Sequence, residues 1–161
     1  MPTRSNMMNA NRLNFWGVIA GAALLACGPI AVLTANDTQA QTAQKAAVKN
    51  RLVIQVSDAD PKKWGLALNN AKNVQQDLGR DQVEIEIVAY GPGLGMLKMD
   101  SEVGARVSEA MGDGVKLVAC ENTMTNQKLT KDDMLPKIGY VKAGVVEIMQ
   151  KQQQGYAYVR P

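Results

Sequence analysis

Two hydrophobic periods alternate along residues 51–161. Arg51 to Val56 is a short β-branched run that predicts a strand. Asp60 followed by Pro61 then predicts a helix start, with Asp60 at the N-cap and Pro61 at the first helical position. Trp64, Ala67, Leu68, Ala71, Val74 and Leu78 recur at helical spacing, and Gly79 closes the element. Val83 to Tyr90 alternates apolar and acidic residues over its first half, the pattern of a strand with one wet face, which places it at a sheet edge. Gly91 to Gly95 reads as a loop. Ser101-Glu102 opens a second helix, carried by Val103, Val107, Ala110 and Met111 and ended by Gly112 to Gly114. Val115 to Ala119 is a mostly apolar strand, hence central, with Cys120 at its C-terminal end. A short helix follows from Asn122 or Thr123, and Thr130 to Asp133 has the form of a capped turn. Ile138 to Val141 predicts a short strand. Val145, Ile148, Met149 and Gln152 mark a helix stopped by Gly155, and Tyr156 to Val159 predicts the last strand.

Strands alternating with helices predict an α/β domain of three layers with a mostly parallel five-stranded sheet. The flavodoxin-like order 2-1-3-4-5 puts the half-polar second strand at an edge and the first and third strands inside. Ser57-Asp58 and Cys120-Glu121-Asn122 then face each other across the switch point of the sheet.

The first forty residues follow a different pattern. Arg4 and Arg12 precede an apolar stretch from Leu13 to Leu33, and Thr38-Gln39-Ala40 carries small residues at the positions a signal peptidase reads. Three readings stay open: a signal peptide cut after Ala40, a lipoprotein box at Leu24 to Gly28 acylated on Cys27, and an uncleaved anchor over 13–35. Each expects export, with a periplasmic domain or a membrane-anchored one as the alternative. The expected organisation is a leader over 1–40, a polar linker over 41–50 and a domain over 51–161.

Composition narrows the chemistry. The chain has no histidine, which excludes Ser-His and Cys-His nucleophile pairs and histidine zinc sites. Beyond the leader Cys120 is the lone thiol, so it has no internal disulfide partner. It is either a buried small hydrophobe or a reactive group, and a helix starting just after it would favour the thiolate. The net charge of +3 comes without a basic run, so no nucleic-acid partner is expected. The Gly91 to Gly95 segment lacks the Lys-Ser/Thr of a phosphate loop, and Met96 stands where a dinucleotide fingerprint needs glycine or alanine. Its Gly93 and Gly95 are expected to line the site as part of a tight turn. Met96, Met99 and Met124 are read as core fillers, and neither metal nor cofactor is expected.

Four segments together carry a resemblance: Val53 to Ser57, the Ala67 to Gln75 stretch ALNNAKNVQ, the Val118 to Met124 stretch VACENTM, and the tail from Gly139 to Pro161. They resemble the DsrE/DsrF-like family over essentially all of 51–161. The resemblance implies a small five-stranded α/β subunit that assembles into homotrimers or homohexamers. It also implies sulfur handling, as persulfide carrier or sulfurtransferase-like protein, on a cysteine after the third strand, which is Cys120 here. A sulfur donor or acceptor protein would be the partner, and Asp58, Glu121, Asn122 and Thr123 join Gly93 and Gly95 as site-lining candidates. The residues around Cys120 and the export leader depart from the relay proteins of that family. The residues therefore keep a second reading open, a non-catalytic oligomeric module for a small ligand or partner, in which Cys120 is structural.

Overall fold

The computed structural model describes residues 50–161; the leader readings, including Cys27, and the tether at 41–49 lie outside the described residues. Five strands form one sheet: β1 (Asn50–Val56), β2 (Val83–Ala89), β3 (Lys116–Cys120), β4 (Gly139–Val141) and β5 (Ala157–Val159). All neighbours are parallel, in the order β4-β3-β2-β1-β5. The helices are α1 (Pro61–Leu78), α2 (Gly104–Gly112), α3 (Glu121–Asn126) and α4 (Gly144–Gln153).

The local signals hold. The Asp60 carboxylate caps α1 by accepting from the Lys62 amide at 2.9 Å, and Gly79 ends it at φ 87°. Asp133 and Thr130 form the predicted capping box. Asn50, predicted to end the linker, already belongs to β1. The predicted loop Gly91 to Gly95 is part of the stretch Gly91–Leu97, which winds into 3₁₀ turns that bury Leu94, Met96 and Leu97.

The strand order departs from the expected 2-1-3-4-5. β2 lies in the middle of the sheet, not at its edge. Its acidic side is covered by a helix and supplied with counter-ions. Glu86 is 3% exposed and receives Lys151 Nζ of α4 at 2.7 Å, while Glu84 receives Lys116 Nζ of β3 at 2.7 Å. An alternating apolar and acidic strand can thus sit centrally when bases face it.

The two faces of the sheet differ. Toward α1 and α2, Ile54, Ile85, Ile87, Leu117 and Ala119 join Trp64, Leu68 and Val107 in the larger core. Toward α4, Val53, Val88, Val118, Ile148 and Tyr156 form a smaller cluster. Val145 and Met149, predicted to face inward on α4, are 63% and 51% exposed; the helix is turned so that Ile148 is buried and Lys151 reaches the sheet. Among the described residues no helix is long and apolar enough to cross a membrane.

Candidate functional site

Cys120 ends β3 and is the N-cap residue of α3, one residue later than the strand predicted from the sequence. It is 5% exposed, flanked by the exposed Asn122 and Lys142, so it lies just beneath the surface. As a thiol it can donate to the Lys142 carbonyl, with Sγ at 3.9 Å from that oxygen, a weak contact. Burial pushes the thiol up. The Thr123 hydroxyl and the amides of Gly144, Thr123 and Asn122 more than offset this, and hold Cys120 below an ordinary cysteine. The Asn122 amide is shared, because it also donates to the Lys142 carbonyl at 3.1 Å. These strongest influences favouring the thiolate are neutral donors, so dipoles take the place that a histidinium fills elsewhere.

Thr123 is oriented by its neighbours. Its Oγ1 accepts from the Gly91 amide at 2.9 Å, which leaves its own proton free for the sulfur. Gln127 Nε2 donates to the Gly91 carbonyl at 3.2 Å and fixes that turn to α3. On the other side, Gly144 is the first residue of α4 and is buried against Tyr90. A Cβ at Gly144 would lie 2.9 Å from the Tyr90 Cβ, so only glycine brings this helix start so close to β2.

The predicted site residues divide accordingly. Cys120, Asn122 and Thr123 come together, and Glu121 occupies the first turn of α3 beside them. Asp58 does not face Cys120. β2 separates β1 from β3, which sets their ends about 10 Å apart. The Asp58 carboxylate is instead engaged by Lys63 Nζ and Arg160 Nη2, each at 3.4 Å, and its carbonyl accepts from Trp64 Nε1 at 2.7 Å. Its slight burial raises the carboxyl, but Arg160 and Lys63 outweigh this and hold it below the usual range. Gly93 and Gly95 have packing duties: a Cβ at Gly93 would lie 2.3 Å from the Val56 carbonyl oxygen, and one at Gly95 would lie 3.0 Å from the Trp64 ring. Of the turn expected to line the site, Gly91 does so through Thr123, while sequence reasoning missed Lys142 and Gly144, whose backbones complete the thiol's surroundings. Gly144 lies in the tail that carried the family resemblance, but nothing in periodicity marks it. A groove of about 560 Å³ opens at the other end of β3, lined by Met111, Val118 and Gly139 among others, and holds none of the predicted site residues.

An all-parallel five-stranded sheet flanked by helices, with one cysteine at the C-terminal end of its third strand, defines a small α/β protein of the DsrE-like fold. The sequence profile of the DsrE/DsrF-like family matches residues 31–161, and the chain belongs to that family, which is related in general to sulfur relay. It is similar to MTH1491, a protein of unknown function from Methanobacterium thermoautotrophicum, at 38% identity and a TM-score of 0.66, covering 70% of this chain and 99% of that one. It also shares its fold with BT1422, a conserved protein of unknown function from Bacteroides thetaiotaomicron, at 13% identity and a TM-score of 0.56, covering 70% and 95% of the two chains. Among curated proteins none matches.

Proposed function

We propose that this protein carries sulfur as a persulfide on Cys120. The observation that carries the reading is the position of Cys120, just beneath the surface at the end of β3 and the N-cap of α3, where neighbouring polar groups favour its thiolate, with family membership in support. The Cys120 thiolate attacks the outer sulfur of a donor persulfide, R–S–SH. A new S–S bond forms, the donor's own S–S bond breaks, and the donor thiolate leaves, giving Cys120–S–SH. An acceptor thiolate then takes the outer sulfur by the same exchange and releases the Cys120 thiolate. A thiolate held by Thr123, Gly144 and Asn122 is a good leaving group, which suits a carrier that must hand its sulfur on. Neither a metal nor a second cofactor takes part in this exchange. Intact mass after incubation with a persulfide donor tests it: the protein gains one sulfur atom and Cys120→Ser gains none. An unchanged mass in both defeats the reading.

The burial of Cys120 favours a second reading, a binding module with a structural cysteine. Iodoacetamide separates the two. The carrier reacts in its native state, and the module reacts only after denaturation.

Two further parts of the reading concern place and assembly. The domain acts outside the cytoplasm, released after Ala40 or held by its leader; a reporter fused at Asn50 that works only in the cytoplasm would overturn this. The protein assembles as a trimer or hexamer, with Leu66, 46% exposed on α1, and Met99, expected as a core filler but 60% exposed, as contact candidates. Light scattering at micromolar concentration that gives a clean monomer would overturn the assembly.

A further inference from the structure

The face under α4 contains a costly arrangement that stability does not explain. Glu86 sits in the central strand, 3% exposed, and only one of its oxygens is engaged, by Lys151 Nζ at 2.7 Å. The other oxygen, Oε1, is buried without a hydrogen-bond partner. Lys151 also reaches Glu147 at 3.5 Å and lies over the Tyr156 ring at 5.0 Å; Glu84, paired with Lys116, and Arg51, its guanidinium carbon 5.9 Å from the centre of the same ring, complete the charged surroundings. A buried ion pair with an orphan oxygen is worth less to stability than apolar side chains of the same size. Its directional character is what apolar side chains would not supply.

The placement of the pair says what that direction is for. α4 buries only Gly144 and Ile148, so apolar contact alone seats it weakly. β2 and α4 meet instead at matched points. Tyr90 abuts Gly144, Val88 and Ile148 share one cluster, and Glu86 binds Lys151. Glu86, Val88 and Tyr90 lie on one side of the strand and span about 13 Å. Gly144, Ile148 and Lys151 lie on one side of the helix and span about 10 Å. The contact at one end lies just after Val141, which pairs in register with Cys120, and Lys142, whose carbonyl stands 3.9 Å from the Cys120 sulfur, so the start of α4 sits beside the thiol and its Gly144 amide favours the thiolate. The ion pair at the other end fixes how far the helix can slide or tilt.

We propose that Glu86 and Lys151 are positioning residues for the thiol: their buried ion pair holds α4 where Gly144 offers its amide to Cys120. This rests on the carrier reading and names the device that keeps its site in register. Neither residue touches the sulfur. Glu86 pairs in register with Lys116, four residues before Cys120 and so about 13 Å from it.

The charge-neutral double variant Glu86→Leu with Lys151→Met, in a Cys27→Ser background so that Cys120 is the lone thiol, tests the proposal in the full protein. It removes both charges together, and its apolar replacements leave the thermal midpoint equal or higher. The rate of iodoacetamide alkylation of Cys120 against pH is the readout. The midpoint should rise by at least about half a pH unit, roughly threefold less thiolate below it. Amide exchange at Gly144 should accelerate, and Lys151→Arg alone should keep the wild-type midpoint. A depressed wild-type midpoint that the folded double variant leaves unchanged overturns this proposal alone. A wild-type midpoint near the ordinary cysteine value of about 8.5 overturns the carrier reading and this proposal with it. Should the double variant fail to fold, Glu86→Gln decides by sign: a displaced helix raises the midpoint, whereas loss of a negative charge acting through its field lowers it and defeats the positioning role.

Discussion

On the face covered by α1 and α2, the three central strands present Ile54, Ile87, Leu117 and Ala119 to Trp64, Leu68 and Val107, with no charge among them. On the face under α4, the same strands present Val53, Val88 and Val118 together with Glu86 and Cys120, and the short helix buries a single large apolar side chain, Ile148, against them. The strand alternation that gives the first face its core gives the second face its ions and its thiol. Stability can therefore be altered on one side and thiol chemistry on the other, and substitutions that cross this division are the informative ones.

The largest expected effect is on the apolar face. Ile87→Ala, at a fully buried central position, should lower unfolding free energy by about 2–5 kcal/mol in urea titration while leaving the alkylation midpoint of Cys120 in place. A shifted midpoint would mean that the two faces are not separable. Gly144→Ala comes next. Its Cβ would meet Tyr90, so it should cost about 1–3 kcal/mol and also raise the thiol midpoint, an effect on both readouts that Ile87→Ala lacks. Thr123→Val removes the acceptor of the Gly91 amide and the hydroxyl donor to sulfur, at about 1 kcal/mol, again with a higher midpoint.

The smallest effect compares two carboxylates on one strand. Hydrogen bonding to Lys116, then to Tyr156, holds Glu84 below its ordinary 4.5; its contribution is present above that pH and lost as pH falls through the folded value. Burial pushes Glu86 above 4.5 despite Lys151, helped by Glu147; its contribution is present below 4.5 and lost as pH rises through the folded value. Urea titrations across pH should show Glu84→Gln and Glu86→Gln diverging from the parent with opposite slopes, by less than about 1 kcal/mol for the partly exposed Glu84 pair. Parallel slopes would show that both acids sit in equivalent surroundings.

Much of this was legible in the sequence. Asp60-Pro61 and Gly79 bound α1, Thr130 and Asp133 cap their turn, and Cys120 stands at the end of a mostly apolar run because those signals are local. The strand order was not legible. The alternation at Glu84 and Glu86 is the same whether water or Lys151 lies opposite, and Lys151 is far away in the chain. The same limit hid the donors to sulfur. Thr123 follows Cys120 closely, but Gly144 is brought to the sulfur by α4, and Gly91, whose amide orients Thr123, by β2. It also misplaced Asp58, whose partners Lys63 and Arg160 draw it away from the thiol.

β1 pairs on its outer side with β5, matching Leu52 to Ala157 and Ile54 to Val159. The strand made first in this domain must therefore wait for the one made last. At typical synthesis rates of about 5–20 residues per second, some 100 intervening residues leave that edge open for roughly 5–20 seconds. An uncovered edge invites pairing with another nascent chain. Arg51 sits at its start and later donates to the Gln154 carbonyl at 3.0 Å. Its charge can thus guard the strand during biosynthesis before its hydrogen bond helps close the sheet.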